Sequence, residues 1–115
     1  MARSPTRTPE GELLQGTLPL LILRTLATGP NHGFAMARRI QQISNAALRI
    51  EQGSLYPALH RMEEAGWLES SWGESENNRR AKYYRLTKRG TRELASEIKR
   101  WNSIAAGIAA VLQEG

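Results

Sequence analysis

The sequence predicts an α+β fold, mainly α: a winged helix-turn-helix followed by a long C-terminal dimerisation helix. Three observations support it. Before residue 67, one stretch is apolar almost all round and two others repeat their apolar residues at helical spacing, which predicts three helices. Two short alternating apolar and polar stretches then flank a segment rich in Gly, Ser and Asn, which is typical of a β-hairpin. A longer helical pattern fills the rest of the chain. Three helices followed by a hairpin is the order of a winged helix.

Composition narrows the functions that this single 115-residue domain can have. The chain has no cysteine, no aspartate and only two histidines, and it lacks nucleophile motifs and phosphate-binding glycine loops. We therefore expect no enzymatic activity, no cofactor and no metal. No stretch approaches the roughly 18 apolar residues of a membrane span, and the first residues lack the apolar region of a signal peptide. We expect a cytoplasmic location and no membrane partner.

The first helix is predicted over residues 17–28, in the apolar run "GTLPLLILRTLATG". Thr17 is a good N-cap, and Pro19 suits a first turn because its missing N–H costs little there. Residues 1–12 contain two Pro and two Arg and are predicted to form a flexible arm.

The second helix is predicted to follow Asn31 as its N-cap. Phe34, Ala37 and Ile40 recur at three-residue spacing and are predicted to face the first helix, which leaves the neighbouring Arg and Gln residues in solvent.

The third helix is predicted within "QGSLYPALHRMEEAGW". Leu55, Leu59 and Met62 keep the helical period, Ser54 is the natural N-cap, and Gly66 stands where a helix commonly ends. Because the first residues of such a helix are the ones that reach base edges, its N-terminal surface is the candidate DNA-reading surface.

Positive charge is concentrated on the predicted hairpin, whose strands are expected at residues 67–72 and 82–87. Residues 76–90 hold six of the sixteen Lys and Arg residues and one of the eleven acids, so the other hundred residues are balanced. A focused positive field attracts a polyanion. The hairpin is therefore predicted to be a wing that contacts DNA phosphates and the minor groove.

The last helix is predicted to begin after Thr87 as its cap and to carry a heptad seam. About 25 residues of helix extend roughly 38 Å, too far for the whole seam to be buried against so small a domain. A second copy of the chain is the expected partner. The seam consists of Leu94, Ile98, Trp101, Ala105, Ile108 and Leu112.

Three segments, "LLILRTLATGPNHGFAMARRI", "GSLYPALHRMEEAGWLE" and "RRAKYYRLTKRG", resemble the PadR family of bacterial transcriptional regulators, in its short branch with a single C-terminal helix. The resemblance covers about residues 13 to 112. It implies a homodimeric winged-helix protein, usually a repressor, that binds an inverted repeat near a promoter. By position, residues 54–65 match the family's recognition helix, residues 79–82 its wing and residues 88–113 its dimerisation helix. Some short members bind aromatic effectors near the dimer interface, which makes Trp101 a candidate effector contact.

The predicted domains are the arm (1–12), a winged-helix DNA-binding domain (13–87) and a dimerisation helix (88–115). The seam residues named above are the predicted homodimer interface, and double-stranded DNA is the predicted partner. The predicted DNA contacts are Gln52, Ser54, Tyr56, Pro57, Arg61, Arg79, Arg80 and Lys82.

Two other functions fit the same sequence. A nonspecific nucleic-acid or RNA-binding module would also use basic and aromatic residues, but it would not prefer an inverted-repeat duplex. A protein-interaction module would use the heptad helix to recruit a different protein and would leave the basic hairpin in solvent.

Overall fold

The computed structural model describes the backbone of residues 9–114 and the side chains of residues 16–114. In order, the chain forms α1 (Pro9–Leu26), β1 (Asn31–His32), α2 (Gly33–Ile43), α3 (Gln52–Glu64), β2 (Leu68–Glu74), β3 (Arg80–Leu86) and α4 (Lys88–Glu114). The strands form one antiparallel sheet in the order β1-β3-β2. The predicted mainly helical α+β fold, with a hairpin and a long last helix, is confirmed. No helix within residues 9–114 is long and apolar enough to cross a membrane.

One apolar core joins the four helices and the hairpin. Helix α1 lies at its centre, because it contacts α2, α3, β3 and α4. This position explains why the second half of α1 is apolar almost all round. The core consists of Leu18, Ile22, Leu23, Leu26, Met36, Leu55, Ala58, Leu59, Met62, Leu68, Tyr84 and Leu94.

Helix α1 extends further towards the N-terminus than the sequence predicted. It begins at Pro9 and not near Thr17, so Thr17 and Pro19 lie inside the helix instead of at its cap and first turn. Pro19 leaves one i→i−4 hydrogen bond unmade because it has no N–H. Of the predicted arm, residues 1–8 lie outside the described residues, whereas residues 9–12 belong to α1.

The start of α2 also differs from the prediction. Asn31 does not cap the helix, because it lies in β1 opposite Tyr84. His32 is the N-cap, and its Nδ1 accepts a hydrogen bond from the Ala35 N–H at 3.3 Å. The two-residue strand β1 has no sequence signal of its own, since it exists only by pairing with β3.

The buried face of α2 is rotated relative to the predicted one. Ile40 is buried and Ala37 packs against the core, as predicted, but Gly33 and Met36 are also buried and Phe34 is 52% exposed. Helical spacing permits either phase, and packing against α1 selects the one that excludes Phe34. The prediction that the Arg and Gln residues of α2 face solvent is confirmed.

The hairpin is longer and its tip shorter than predicted. β2 pairs with β3 from Leu68 opposite Leu86 to Glu74 opposite Arg80, which leaves residues 75–79 as the tip. Tyr84 is buried and Leu86 packs against the core, so one face of β3 covers the core as predicted. The outer half of the hairpin projects beyond the core.

Helix α4 is fixed to the rest of the fold at its first turn. Thr87 caps it as predicted: its hydroxyl accepts a hydrogen bond from the Gly90 N–H at 3.0 Å and donates one to the Gly66 carbonyl at 2.7 Å. A Cβ on Gly90 would lie 2.1 Å from the Trp67 carbonyl oxygen, so only glycine fits there. Gly66, with φ +84°, ends α3 as predicted.

Candidate nucleic-acid interface

Helix α3 presents a buried face to the core and an exposed face to solvent. Leu55, Leu59 and Met62 are buried, as predicted. The N-cap is Glu51 without a side-chain hydrogen bond, so Ser54 is not the cap but a half-buried residue of the first turn. Of the other predicted DNA contacts on this helix, all are exposed: Gln52, Tyr56, Pro57 and Arg61.

Tyr56 projects from the first half of α3 towards the start of α2. Its side chain is 44% exposed, and its hydroxyl makes no hydrogen bond to any residue that the structure describes. A Cβ on Gly33 would lie only 2.9 Å from this hydroxyl oxygen, so the phenol rests directly on the backbone of α2. The hydroxyl is therefore available to donate to or accept from a ligand.

The tip of the hairpin displays two cations. The Ser75 N–H donates to the Arg79 carbonyl at 2.8 Å, and Asn78 adopts a φ of +58°, which together close a tight turn. Arg79 is exposed. The guanidinium of Arg80 lies 4.7 Å from the centre of the Trp72 ring, and this ring–cation contact holds it on the surface of the hairpin.

Lys82 is not a free cation, because it is half-buried and lies beside a carboxylate. Its Nζ is 3.6 Å from Oε1 of Glu63, and Oε2 of the same Glu63 accepts a hydrogen bond from the Ser70 hydroxyl at 2.6 Å. Glu63 thus joins α3 to both hairpin strands. Burial raises the pKa of the neighbouring Tyr84 hydroxyl, and the charge of Glu63 and the proximity of Tyr56 raise it further.

Arg85 is also paired. Its guanidinium donates to the Glu69 carboxylate from the opposite position on β2. The freely exposed positive charge of the hairpin is therefore concentrated near its tip.

A groove of about 410 Å³ lies between the start of α2, Tyr56 and the hairpin. It brings together three of the predicted DNA contacts, Tyr56, Arg79 and Lys82, but none of the other five. The prediction missed Phe34 and His32 here, because α2 was given a different phase and cap. The groove is lined by His32, Gly33, Phe34, Ala35, Arg38, Tyr56, Ser75, Glu76, Asn77, Arg79, Ala81 and Lys82. Its cations and phenol suit a chain of phosphates, although Lys82 is paired with Glu63 and the lining also carries the Glu76 carboxylate.

The predicted dimer seam on α4 divides into two parts. Leu94 is buried in the core of its own chain, whereas the later seam residues are covered only partly or not at all. Exposed apolar side chains on this part of α4 are Ile98, Trp101, Ile104, Ile108, Val111 and Leu112. Trp101 also lines a groove of about 260 Å³ between α4 and α1, together with Leu20 and Ile104.

The chain resembles known proteins over most of its length. Residues 22–96 match the family model of the PadR-like transcriptional regulators. An uncharacterized protein of Lysinibacillus sphaericus is 26% identical over 93 residues, which are 81% of this chain and 85% of that protein.

Solved structures agree with this match. A transcriptional regulator from Clostridium thermocellum superposes with a TM-score of 0.78 and 25% identity, over 86% of this chain and 96% of that one. A PadR family transcriptional regulator from Eggerthella lenta superposes with a TM-score of 0.74 and 32% identity, over 90% of this chain and 88% of that one.

Proposed function

The chain belongs to the PadR-like family and is a DNA-binding transcriptional regulator, and from this premise we propose that it is a homodimeric repressor of an inverted-repeat operator. The observation that carries the proposal is the pairing of two surfaces. Tyr56 and the hairpin cations surround one groove, and a separate apolar stripe on α4 is exposed. The first surface suits DNA and the second suits another copy of the chain.

In the proposed complex the N-terminal part of α3 enters the major groove and the hairpin tip follows the adjacent backbone. Gln52, Tyr56 and Pro57 are exposed where base edges would be met, and Ser54 lies just behind them. Arg61 is further along the helix and is assigned to a phosphate. Arg79 and Arg80 supply the wing contacts, with a smaller contribution from Lys82 because Glu63 offsets its charge.

In the proposed dimer the two α4 helices pack through the exposed stripe, from Ile98 to Leu112. Leu94 contributes indirectly, by fixing α4 to its own domain. Two recognition helices about one DNA turn, roughly 34 Å, apart would then match two half-sites. Repression follows when the dimer occupies the promoter. The protein would act by binding alone and in the cytoplasm.

The first experiment is in vitro selection of duplexes from fragmented genomic DNA at about 0.15 M salt, where backbone attraction alone is weakened. Recovery of a two-fold-symmetric motif supports the proposal. Recovery without any motif contradicts sequence specificity and favours nonspecific or RNA binding.

The wing is tested by Arg79→Ala/Arg80→Ala. Loss of two phosphate contacts should weaken binding to every duplex and lower the slope of log affinity against log salt by about 1.8. Arg24→Ala/Arg92→Ala is the matched control, since it removes two exposed charges away from the hairpin. Equal effects of the two double variants would contradict the wing contacts.

The oligomeric state is tested by light scattering at micromolar concentration, with an expected mass of twice 12.9 kDa. A stable monomer that associates only with another protein would instead favour the protein-interaction function.

A small aromatic effector is proposed to bind beside Trp101. Trp101 is 39% exposed and lines the groove between α1 and α4, so an aromatic compound there would contact the base of the dimer stripe. Such a ligand can shift DNA affinity only by its differential affinity for two dimer geometries. In a fluorescence titration with the aromatic probe 1-anilinonaphthalene-8-sulfonate, binding should be lost in Trp101→Leu. Equal binding by both proteins would contradict this site.

A further inference from the structure

We propose that Gly33 is a positioning residue for Tyr56: its lack of a side chain lets the phenol of α3 rest against the first turn of α2 and so sets where the hydroxyl meets DNA. The inference rests on the DNA-binding role of Tyr56 proposed above, and it assigns to Gly33 a role that acts through the position of the Tyr56 ring.

Contact distances show how closely the two residues approach. A Cβ on Gly33 would lie 2.8 Å from Cε1, 2.9 Å from Oη and 3.0 Å from Cζ of Tyr56. Carbon atoms in ordinary contact are about 3.5 to 4.0 Å apart. Even a single methyl group at Gly33 would therefore overlap the outer edge of the ring, including the hydroxyl.

The backbone of α2 does not require glycine at this position. Gly33 is not among the described residues with positive φ, so the backbone at this first residue of α2 is one that a residue with a Cβ can also adopt. Gly33 is also buried, so a side chain added there would meet neighbouring atoms and not solvent. What glycine provides here is space for Tyr56.

The consequence for DNA binding follows from where the ring would move. To accommodate a Cβ, the phenol must shift by about 1 Å to restore ordinary contact. The hydroxyl would then change its position relative to Arg79 and Lys82, which line the same groove. A hydrogen bond to a phosphate or base edge depends on distances of this size.

The first test follows Tyr56 in the free protein. The ring signals of the three ¹³C-labelled tyrosines are followed by NMR, and the signal missing in Tyr56→Ala is assigned to Tyr56. Gly33→Ala should move that signal more than those of Tyr83 and Tyr84. Gly16→Ala is the matched control, because Gly16 lies in α1 and a Cβ there would meet no described atom within 4 Å beyond its chain neighbours and its own helix backbone. An unmoved Tyr56 signal in Gly33→Ala would overturn the proposal whether or not the protein binds DNA.

The second test is a double-mutant cycle on DNA. Wild type, Gly33→Ala, Tyr56→Ala and the double variant are titrated with a labelled duplex from the selection experiment. We expect each single variant to bind about tenfold more weakly and Gly33→Ala to have less than about a twofold effect once Tyr56 is absent. The same loss in both backgrounds would overturn the proposal, since Gly33 would then act independently of Tyr56.

Two further outcomes separate this inference from the proposed function. If Tyr56→Ala binds DNA like wild type, Tyr56 has no role in DNA binding, and the functional part of this inference is wrong. The NMR experiment would still show whether Gly33 sets the position of the Tyr56 ring. If Gly33→Ala does not fold, the double variant should fold, because removing the ring removes the clash. If neither variant folds, the clash with Tyr56 is not the reason that residue 33 must be glycine, and the proposal is wrong.

Discussion

The winged-helix body and the second half of α4 use apolar residues in opposite ways. In the body, Ile22, Leu55 and Leu68 are buried within one chain, and Leu94 of α4 joins them at 8% exposure. Beyond Leu94 the same helix exposes Ile108 by 53%. Because burying apolar surface stabilises a protein by about 25 cal/mol per Å², the first set stabilises the folded chain, whereas the second set gives this stabilisation only if another surface covers it, as in the proposed dimer.

The junction between the two regions is the place where one substitution should do most damage. In Gly90→Ala the new Cβ would meet the Trp67 carbonyl, a backbone atom that cannot rotate away. We expect a loss of about 3 kcal/mol or more of unfolding free energy, measured by urea denaturation. Gly107→Ala on the same helix meets nothing within 4 Å and should not be destabilised. Equal stability of the two variants would mean that α4 is not fixed at Gly90.

The contrast within α4 can be measured by shortening two of its side chains to alanine, one buried and one exposed. Leu94→Ala should cost about 2 to 4 kcal/mol of stability, because it empties a core position. Ile108→Ala should leave the unfolding of the monomer unchanged and raise the dimer dissociation constant. Urea denaturation at several protein concentrations separates the two effects. If Ile108→Ala destabilises the protein independently of concentration, that residue belongs to the body.

The attachment of the hairpin to the body is tested by Glu63→Gln. Glutamine can still bond to Ser70, but Lys82 loses its counter-charge. Because this pair is partly exposed, the stability change should stay below about 1 kcal/mol. The freed Lys82 should instead steepen the salt dependence of DNA binding by about 0.9. Glu64→Gln, on an exposed neighbouring residue, is the control. An unchanged slope would show that Lys82 does not reach DNA.

The smallest expected effect concerns pH and the buried face of β3. Burial raises the pKa of Tyr84 in the folded state above its value of 10.0 in the unfolded chain, so folding favours its neutral form. Its contribution to stability is fully present below pH 10 and is lost as the pH rises through the folded pKa. The urea midpoint should therefore decrease more between pH 8 and pH 10.5 in wild type than in Tyr84→Phe. An equal decrease in both proteins would mean that folding does not change the pKa of Tyr84.

Much of the candidate interface could be predicted from the sequence. The helical period placed Leu55, Leu59 and Met62 in the core, which fixed the exposed face of α3, and the charge count located the basic hairpin. The capping residues were less predictable. Thr17, Asn31 and Ser54 are all good N-caps in isolation, but none of them caps a helix here. A capping residue contributes only about 1 kcal/mol, so tertiary packing readily overrides it.

The sequence by itself determined the order of the four helices and the hairpin, the core face of α3, the capped start of α4 and the apolar stripe that follows, because periodicity and local charge are properties of neighbouring residues. Only the tertiary structure decided which cations remain free and which residues share a groove. Lys82 meets Glu63 from another element, Phe34 turns outward because α1 selects the phase of α2, and Gly33 receives a ring from α3. The Lys82–Glu63 and Gly33–Tyr56 contacts join residues 19 and 23 positions apart, and the phase of α2 depends on a separate helix, so no local pattern in the sequence encodes these pairings.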